Sequence, residues 1–403
     1  MIEVLHKTVY NGTHEISIAG SKSESNRLLI LQKLVPDITI KNLSTSDDTK
    51  VLEKALSINQ GTIDIHHAGT AMRFLTAYLA FNTINDVKLT GSQRMQERPI
   101  EILVNALRDL GANIKYEKKE GYPPLIIKSS EILKNKVELK ANVSSQYISA
   151  LMLSASNLKD GLHIKFDSEV TSLPYILMTV NLMKKIGIDI KFSQDEIRVL
   201  PKTKINPIHI NVESDWSSAS YFYSLVALSK DLKLKLNNFY KDSLQGDSKL
   251  SDLYDKLGVK TTFLNGSILL EKEKNIEVSE YIEDLNHTPD LAQTIAVTCL
   301  GLKINCHLKG LHTLKIKETD RLVAMKTELE KFGAKVDIDD KSLKMVSPNI
   351  IKSKQIVETY NDHRMAMAFA PLCSKVDLTI KDAEVVSKSY PNFWNDFYGL
   401  NYN

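Results

Sequence analysis

The sequence predicts an α/β protein built from repeated β-α-β-α-β-β units in two domains. Three observations carry this: a recurring helix-Gly-strand junction, a recurring alternating strand, and six helix starts of similar design. The junction occurs in LRDLGANIKY, MKKIGIDIKF, YDKLGVKTTF and LEKFGAKVDI. In each, a helix-like stretch ends on a hydrophobic residue and Gly, which suits the left-handed position just past a helix. Gly111, Gly187, Gly258 and Gly333 lie 76, 71 and 75 residues apart by subtraction, a period near 74. So long a period makes each unit a small α/β subdomain rather than one turn of a solenoid.

The second strand recurs as DITIKNL, DVKLTGS, GLHIKFDS, DLKLKLNNF, KINCHLKGL and VDLTIKDAEVV, mostly with the period-two alternation of a half-buried strand. Each follows a stretch of helical apolar spacing that opens on polar residues: SKSESNRLLILQKL, GTAMRFLTAYLAF, SSQYISALMLSASNL, SSASYFYSLVALS, PDLAQTIAVTCLGL and DHRMAMAFAPLCSK. Before most of these helices TIDIHH, KVELKANV, PIHINVES, NIEVSE and QIVETY read as a further strand, expected to open the unit of the helix that follows. The sixth unit stops short, because SYPNFWNDFYGLNYN leaves no residues for closing strands; IEVLHKTVY and HEISIAG are expected to complete it. One domain then spans residues 20–213 and a discontinuous one residues 1–19 and 214–403, with crossings near Gly20 and Glu213 as a natural hinge.

With 43% hydrophobic and 25% charged residues, the 403-residue chain is ordinary globular material and ample for a core. Its net charge of +3 comes from 52 basic and 49 acidic residues without a polybasic tail, which argues against a nucleic-acid or anionic-membrane partner. Any anion binding must be local. Met1 to Tyr10 carries Glu3, His6 and Lys7 and lacks a signal-peptide core, and no apolar run reaches membrane-spanning length, so the chain reads as cytoplasmic. Cys299, Cys306 and Cys373 sit in apolar segments without CxxC spacing, as buried thiols rather than a disulfide framework or zinc site.

Helix N-termini offer free N–H donors and a partial positive charge, and here they also gather hydroxyls, glycines and cations. In GSKSESNR, Ser21 and Glu24 form a capping box and leave Lys22, Ser23 and Arg27 to face a ligand, unless the segment is simply a well-capped surface helix. HAGTAMR puts Gly69 and Thr70 at a helix start with Arg73 one turn in. GSQRMQERP places Arg94 and Arg98 four apart, on one face if helical, as an anion clamp or as a solvated pair with Glu97. KIKETDRL sets Lys317 and Arg321 on one helical face beside Glu318 and Asp320, a pattern common on solvated faces too. In YNDHRMAM, Asp362, His363 and Arg364 open an otherwise apolar helix, where charge calls for a purpose. In NHTPDLAQ, Thr288 and Pro289 suit N-cap and first helical position, with Asp290 in the first turn. Ser144 and Ser145, and again Ser217 and Ser218, supply hydroxyl donors for a polyol or phosphate, or act as caps. No Walker, Rossmann, H-E-x-x-H or G-x-S-x-G pattern occurs.

GSKSESNR, AGTAMR, RMQERP, VSSQ, SLPY, QGD, NHTPD, KETDRL, YNDHRMAM and SKSYP occur in the order and spacing of 5-enolpyruvylshikimate-3-phosphate synthases, and the chain resembles that family nearly end to end. The resemblance implies a two-domain, inside-out α/β prism of six similar units. It implies transfer of the enolpyruvyl group of phosphoenolpyruvate to the 5-hydroxyl of shikimate 3-phosphate, with phosphate released. It implies shikimate 3-phosphate contacts from Lys22, Ser23, Arg27, Ser144, Ser145, Gln146, Ser172, Tyr175, Asp290, Thr313 and Lys317, and phosphoenolpyruvate contacts from Lys22, Gly69, Thr70, Arg98, Gln146, Arg321, His363, Arg364 and Lys388. The domain of residues 20–213 would carry most shikimate 3-phosphate contacts, the discontinuous one the acid/base groups and several phosphoenolpyruvate contacts. Glu318 is the expected proton donor to C3 of phosphoenolpyruvate and Asp290 the group acting on the 5-hydroxyl, with Lys22 and Lys388 steadying oxygen and phosphate charges. The two substrates bring carboxylates and phosphates together, and each close like-charge pair costs several kcal/mol at an effective dielectric near 20, so a cationic lining is required. The resemblance implies no metal and no organic cofactor, and a monomer whose only partners are its substrates.

Three residues depart from the family pattern: His67 where Asn commonly precedes Ala-Gly-Thr, Thr313 where Asn often helps hold the shikimate phosphate, and Phe74 where Pro frequently follows the Arg. The nearest alternative is the sister family that transfers enolpyruvate to UDP-N-acetylglucosamine, which typically carries a Cys on a mobile loop. GSQRMQERP has none. An RNA-end-processing protein on a related fold would need a basic face with interleaved aromatics, which the sequence lacks.

Overall fold

A computed structural model describes residues 1–139, 144–167, 172–202, 205–273 and 278–401. The chain divides into two compact units, Gly20–Val212 and the discontinuous Met1–Ala19 with Glu213–Asn403. No described helix is long and apolar enough to cross a membrane.

Four sheets repeat one topology, a parallel pair followed by an antiparallel hairpin, and in each the fourth strand in sequence lies between the second and the third. In the Gly20–Val212 unit the first runs Gly61–Asp64, Val87–Thr90, Leu125–Lys128, Asn113–Tyr116. The second runs Lys136–Leu139, Leu162–Phe166, Glu196–Val199, Ile190–Phe192. In the discontinuous unit one sheet runs Glu280–Asp284, Asn305–Lys309, Leu343–Val346, Lys335–Ile338. The other runs Asn11–Ile16, Asp231–Asn237, Ser267–Lys272, Val259–Leu264. The parallel strands are joined through helices, as parallel pairing demands. The four junction glycines all have positive φ, from +79° at Gly258 to +115° at Gly111, which is why Gly stands at each helix end.

Two strands pair differently from the sequence expectation. Ile208–Asn211, expected to open the unit of the helix that follows it, instead pairs in parallel with Ile38–Lys41 of the Gly20–Val212 unit. HEISIAG, expected to help close the sixth unit, supplies the strand beside Asp231–Asn237, while Ile2–Leu5 does join the sixth sheet against Leu378–Lys381. Alternation says that one face of a strand is buried, but not which parallel neighbour it has; each passage between units therefore delivers one strand to a partner far away in sequence. Part of the expected strands KVELKANV and NIEVSE lies outside the described residues, and the strand in the second region, Glu280–Asp284, begins only at the last residue of NIEVSE.

The helices that open on polar residues form the interior of each unit. Along Trp216–Leu228, Ala292–Leu302 and His363–Phe369 nearly every residue is buried, as in a helix apolar on all sides. Their few hydroxyls bond to one another across the repeat: Ser220 lies 3.1 Å from Thr294 and Ser224 accepts from Thr298 at 2.7 Å, each pair 74 residues apart. In the other unit Lys22–Leu34, Gly69–Asn82 and Ser145–Ala155 are buried in the same way. The sheets wrap these helices and show solvent their polar alternate residues, as in the buried-exposed alternation of Lys136–Leu139.

Candidate active site

In the Gly20–Val212 unit the buried helix starts are tied together by side chains. Ser21 caps Lys22–Leu34 by accepting from Glu24 N at 3.4 Å. Lys22 and Ser23 are half-buried at that start, and Lys22 Nζ lies 3.3 Å from Asp48 Oδ2. Arg27 is held in place by four acceptors of its own unit. Its guanidinium donates to Thr179 Oγ1 (2.7 Å), Ser23 O (2.8 Å), Ser149 Oγ (3.3 Å) and Tyr175 O (3.2 Å). Burial pulls its pKa down to about 10, so it stays charged at neutral pH.

Gly69–Asn82 starts without a side-chain cap, because Ala68 at its N-cap has no side-chain oxygen to offer the first N–H groups. Arg98, 8% exposed, lies against that start: a methyl placed on Gly69 would sit 2.5 Å from Arg98 Nη1. Arg94 and Arg98 do not share a face. The helix Gln93–Gln96 ends before Arg98, and Arg94 turns outward to pair with Glu97 at 3.2 Å. Arg73 holds the segment that carries Arg98, donating to Gly69 O and Pro99 O at 3.1 Å each. Ser144 caps Ser145–Ala155 by accepting from Gln146 N, and Gln146 Nε2 donates to Thr70 Oγ1, both at 3.3 Å. Ser172 stands at the N-cap position of Leu173–Lys185 in the left-handed region, at φ +54°, without a capping bond from its side chain, and Tyr175 is on the first turn beside Arg27.

In the discontinuous unit the candidates converge on Asp290, in the short turn Pro289–Leu291 after Thr288, as expected. Its Oδ1 accepts from Arg321 (2.9 Å) and lies 3.5 Å from Lys317; Oδ2 accepts from Arg364 (2.9 Å). Burial alone would raise this carboxyl, but Arg364, Lys317 and Arg321 hold it well below the usual range. Arg321, 2% exposed, also donates to Asp362 at 2.6 and 3.3 Å and to Glu318 at 2.9 Å. Glu318 faces Lys388 Nζ at 3.0 Å with its other oxygen. Lys317 and Arg321 reach Asp290 by a route other than a shared helix face. The helix starts at Arg321 with Asp320 as its cap, and Lys317 precedes it, just past the turn His312–Ile316 that carries Thr313.

Asp362 caps His363–Phe369 while gripping Arg321, which gives the charge at that apolar helix mouth its purpose. His363 is 1% exposed, with Nδ1 3.6 Å from Asp362 Oδ1. Two contributors escaped the sequence reading. One is Asp247, whose QGD signature was visible without a role: it accepts from Ser217, the expected hydroxyl donor, which lies 3.4 Å from Arg364. Asp247 is 4% exposed, and burial, then the charge of Asp290, pushes its carboxyl up to about 7. Its loop is fixed by Gln245, which donates to Ser214 O at 2.8 Å. The other is Asp48, which a Ser-Asp-Asp helix start gave no reason to single out.

Four cations, Lys317, Arg321, Arg364 and Lys388, thus already hold three carboxylates, Asp290, Glu318 and Asp362. Such a cluster can bind anions by exchanging internal carboxylates for those of a ligand. It can also move protons on Asp290 and Glu318.

The family model described as EPSP synthase (3-phosphoshikimate 1-carboxyvinyltransferase) matches residues 52–397. A 3-phosphoshikimate 1-carboxyvinyltransferase of Bacteroides fragilis (strain YCH46) is 45% identical over 387 residues, covering 94% of this chain and 93% of the relative. One from Marinomonas sp. (strain MWYL1) is 38% identical over 412 residues, with 95% and 96% covered. Among solved structures, an EPSP synthase from Acinetobacter baumannii superposes with TM-score 0.77 at 18% identity, over 98% of this chain and 97% of that one. The enolpyruvyl transferase NikO from Streptomyces tendae gives 0.74 at 12%, over 100% and 97%. At such identities these two speak for the fold alone.

Proposed function

We propose, for a chain that belongs to the EPSP synthase (3-phosphoshikimate 1-carboxyvinyltransferase) family, that the two clusters of helix-start residues share the binding and proton transfers of its reaction. The chain is a transferase of the shikimate pathway. It moves the enolpyruvyl group of phosphoenolpyruvate to shikimate 3-phosphate and releases phosphate. The UDP-N-acetylglucosamine alternative is not favoured.

In the first half a proton adds to C3 of phosphoenolpyruvate while the 5-hydroxyl oxygen bonds to C2 and gives up its proton. In the second half the bond from C2 to the phosphate oxygen breaks and C3 loses a proton, so the vinyl group is restored on the new ether. Lys22, Ser23, Arg27, Ser144, Ser145, Gln146, Ser172, Tyr175, Thr313 and Lys317 are our assignments for shikimate 3-phosphate, with Asp290 at its 5-hydroxyl. Gly69, Thr70, Arg98, Gln146, Arg321, Arg364 and Lys388 are those for phosphoenolpyruvate, with Lys22 shared; His363 would act by packing Asp362 rather than by contact.

The observation that carries this reading is Asp290 held among Lys317, Arg321 and Arg364, next to Glu318 on Lys388. With its pKa depressed, Asp290 orients a hydroxyl but is a poor base. Ligand phosphate and carboxylate engaging Arg364, Arg321 and Lys388 would draw cations off Asp290 and Glu318 and raise their proton affinity when substrate is present. We also propose that the chain works as a monomer in the cytoplasm, since its charged substrates do not cross a membrane unaided.

Glu318→Gln tests the proton role. Incubated with phosphoenolpyruvate and shikimate 3-phosphate in deuterated water, the wild type should put deuterium on C3 of recovered phosphoenolpyruvate. The variant should lose that exchange and turnover together, by about a hundredfold or more. Exchange at the wild-type rate in the variant would assign the C3 proton elsewhere.

A further inference from the structure

Asp48 is an acid that the proposed reaction does not use. It is 2% exposed in the first turn of the helix Asp47–Ala55, and its two oxygens face two different bases. Oδ2 lies 3.3 Å from Lys22 Nζ, and Oδ1 lies 3.8 Å from His67 Nε2 with no hydrogen-bond partner of its own among the described residues. His67, half-exposed on the turn into Gly69–Asn82, has its other ring nitrogen, Nδ1, 2.7 Å from His66 Nδ1. A bond between two such nitrogens needs one to donate and one to accept. A neutral His67 meets these contacts with Nε2–H toward the Asp48 oxygen and Nδ1 accepting from His66; a second proton reverses the bond to His66, so that Nδ1–H donates, and puts a positive charge beside Asp48. Other charged groups nearby among the described residues include Asp64, which accepts from His66 N at 2.8 Å, and Arg98, against Gly69 two residues on.

We propose that His67 is a positioning residue for this reaction: on protonation it takes up Asp48 and leaves the Lys22 ammonium to the anionic substrates. With His67 neutral, the charges of Lys22 and Asp48 cancel; with His67 protonated, the three carry a net charge of one. Histidine is the side chain whose charge ordinarily changes between about pH 5 and 8. The inference rests on the reading that Lys22 contacts both substrates.

The test is kcat/KM for phosphoenolpyruvate from pH 5.5 to 8.5, at saturating shikimate 3-phosphate, for the wild type, His67→Asn and His67→Lys. Substrate ionisation is common to all three and cancels in the ratios. The wild type should gain on His67→Asn by about five- to tenfold as pH falls through the histidine range, mainly in KM. His67→Lys, charged throughout, should exceed His67→Asn at pH 8.5 and show no such pH-dependent gain. In an Asp48→Asn background the wild-type gain should shrink. Parallel profiles for wild type and His67→Asn, or a full gain without Asp48, would overturn the proposal. Wild-type protein that turns over nothing at any pH would instead remove the reading beneath it.

Discussion

Gly69 and Arg98 show how one atom's space sets a binding constant. Gly69 has an ordinary helical φ, so Gly69→Ala costs the fold little, but its methyl must push aside Arg98 Nη1, only 2.5 Å from the ideal Cβ position. The far end of a flexible side chain yields more easily than backbone, so the effect should fall on the ligand that Arg98 holds. We expect KM for phosphoenolpyruvate to rise by about tenfold and that for shikimate 3-phosphate to change less than about twofold. Steady-state kinetics on both substrates checks this, and an equal rise in both would place Arg98 wrongly. Asp247 makes a prediction about stability. Its carboxyl titrates at about 7 in the fold against an ordinary 3.8, so the native state binds the extra proton between those values. Whatever stability this proton brings is present below pH 4 and lost as pH rises through about 7, on the order of 1.4 kcal/mol per pH unit at most. Relative to Asp247→Asn, the wild type should therefore lose stability from pH 4 to 8, by a few kcal/mol. Urea unfolding midpoints at pH 4, 6 and 8 measure the difference; a constant one would mean that Asp247 is ionised throughout.

At the scale of elements, the site is a set of helix starts, and the repeat explains why they meet. Ser217, Asp290 and Arg364 stand 73 and 74 residues apart, at matching starts of three buried helices, and they bond in a row within one unit. The sequence displayed those starts because capping residues and the switch from polar to apolar are local signals. It did not display how a side chain leaves its element. Arg94 and Arg98 look equivalent in the sequence, yet a helix that stops at Gln96 sends one to solvent and buries the other. Lys317 and Arg321 look like a helical pair, yet they meet at Asp290 because the helix begins only at Arg321. Arg27 reads as a ligand arm, and nothing local shows that the hydroxyl of Thr179, 152 residues away, also accepts from it. Arg73 tests the element view: it joins the start of Gly69–Asn82 to the backbone at Pro99. Arg73→Lys keeps the charge but not the fork, and should raise KM for phosphoenolpyruvate by about five- to tenfold with a smaller change in kcat. Unchanged kinetics in a folded variant would show that Arg98 needs no such support.

Across the whole molecule, the α/β class and the repeat were legible because Gly-terminated helices and alternating strands recur at a nearly constant spacing. Strand partnership was not, since Ile208–Asn211 and Asn11–Ile16 carry the same alternation whichever parallel neighbour they take. Buried acids were the other blind spot. Asp48 and Asp247 follow ordinary turn or cap residues in sequence, and only burial beside cations gives them a role. Phosphate release from phosphoenolpyruvate, measured with shikimate 3-phosphate and with UDP-N-acetylglucosamine as rival acceptors at equal concentration, tests the central claim most directly. Release with shikimate 3-phosphate at least a hundredfold faster than with the UDP-sugar is the predicted result; equal or faster release with the UDP-sugar would contradict it.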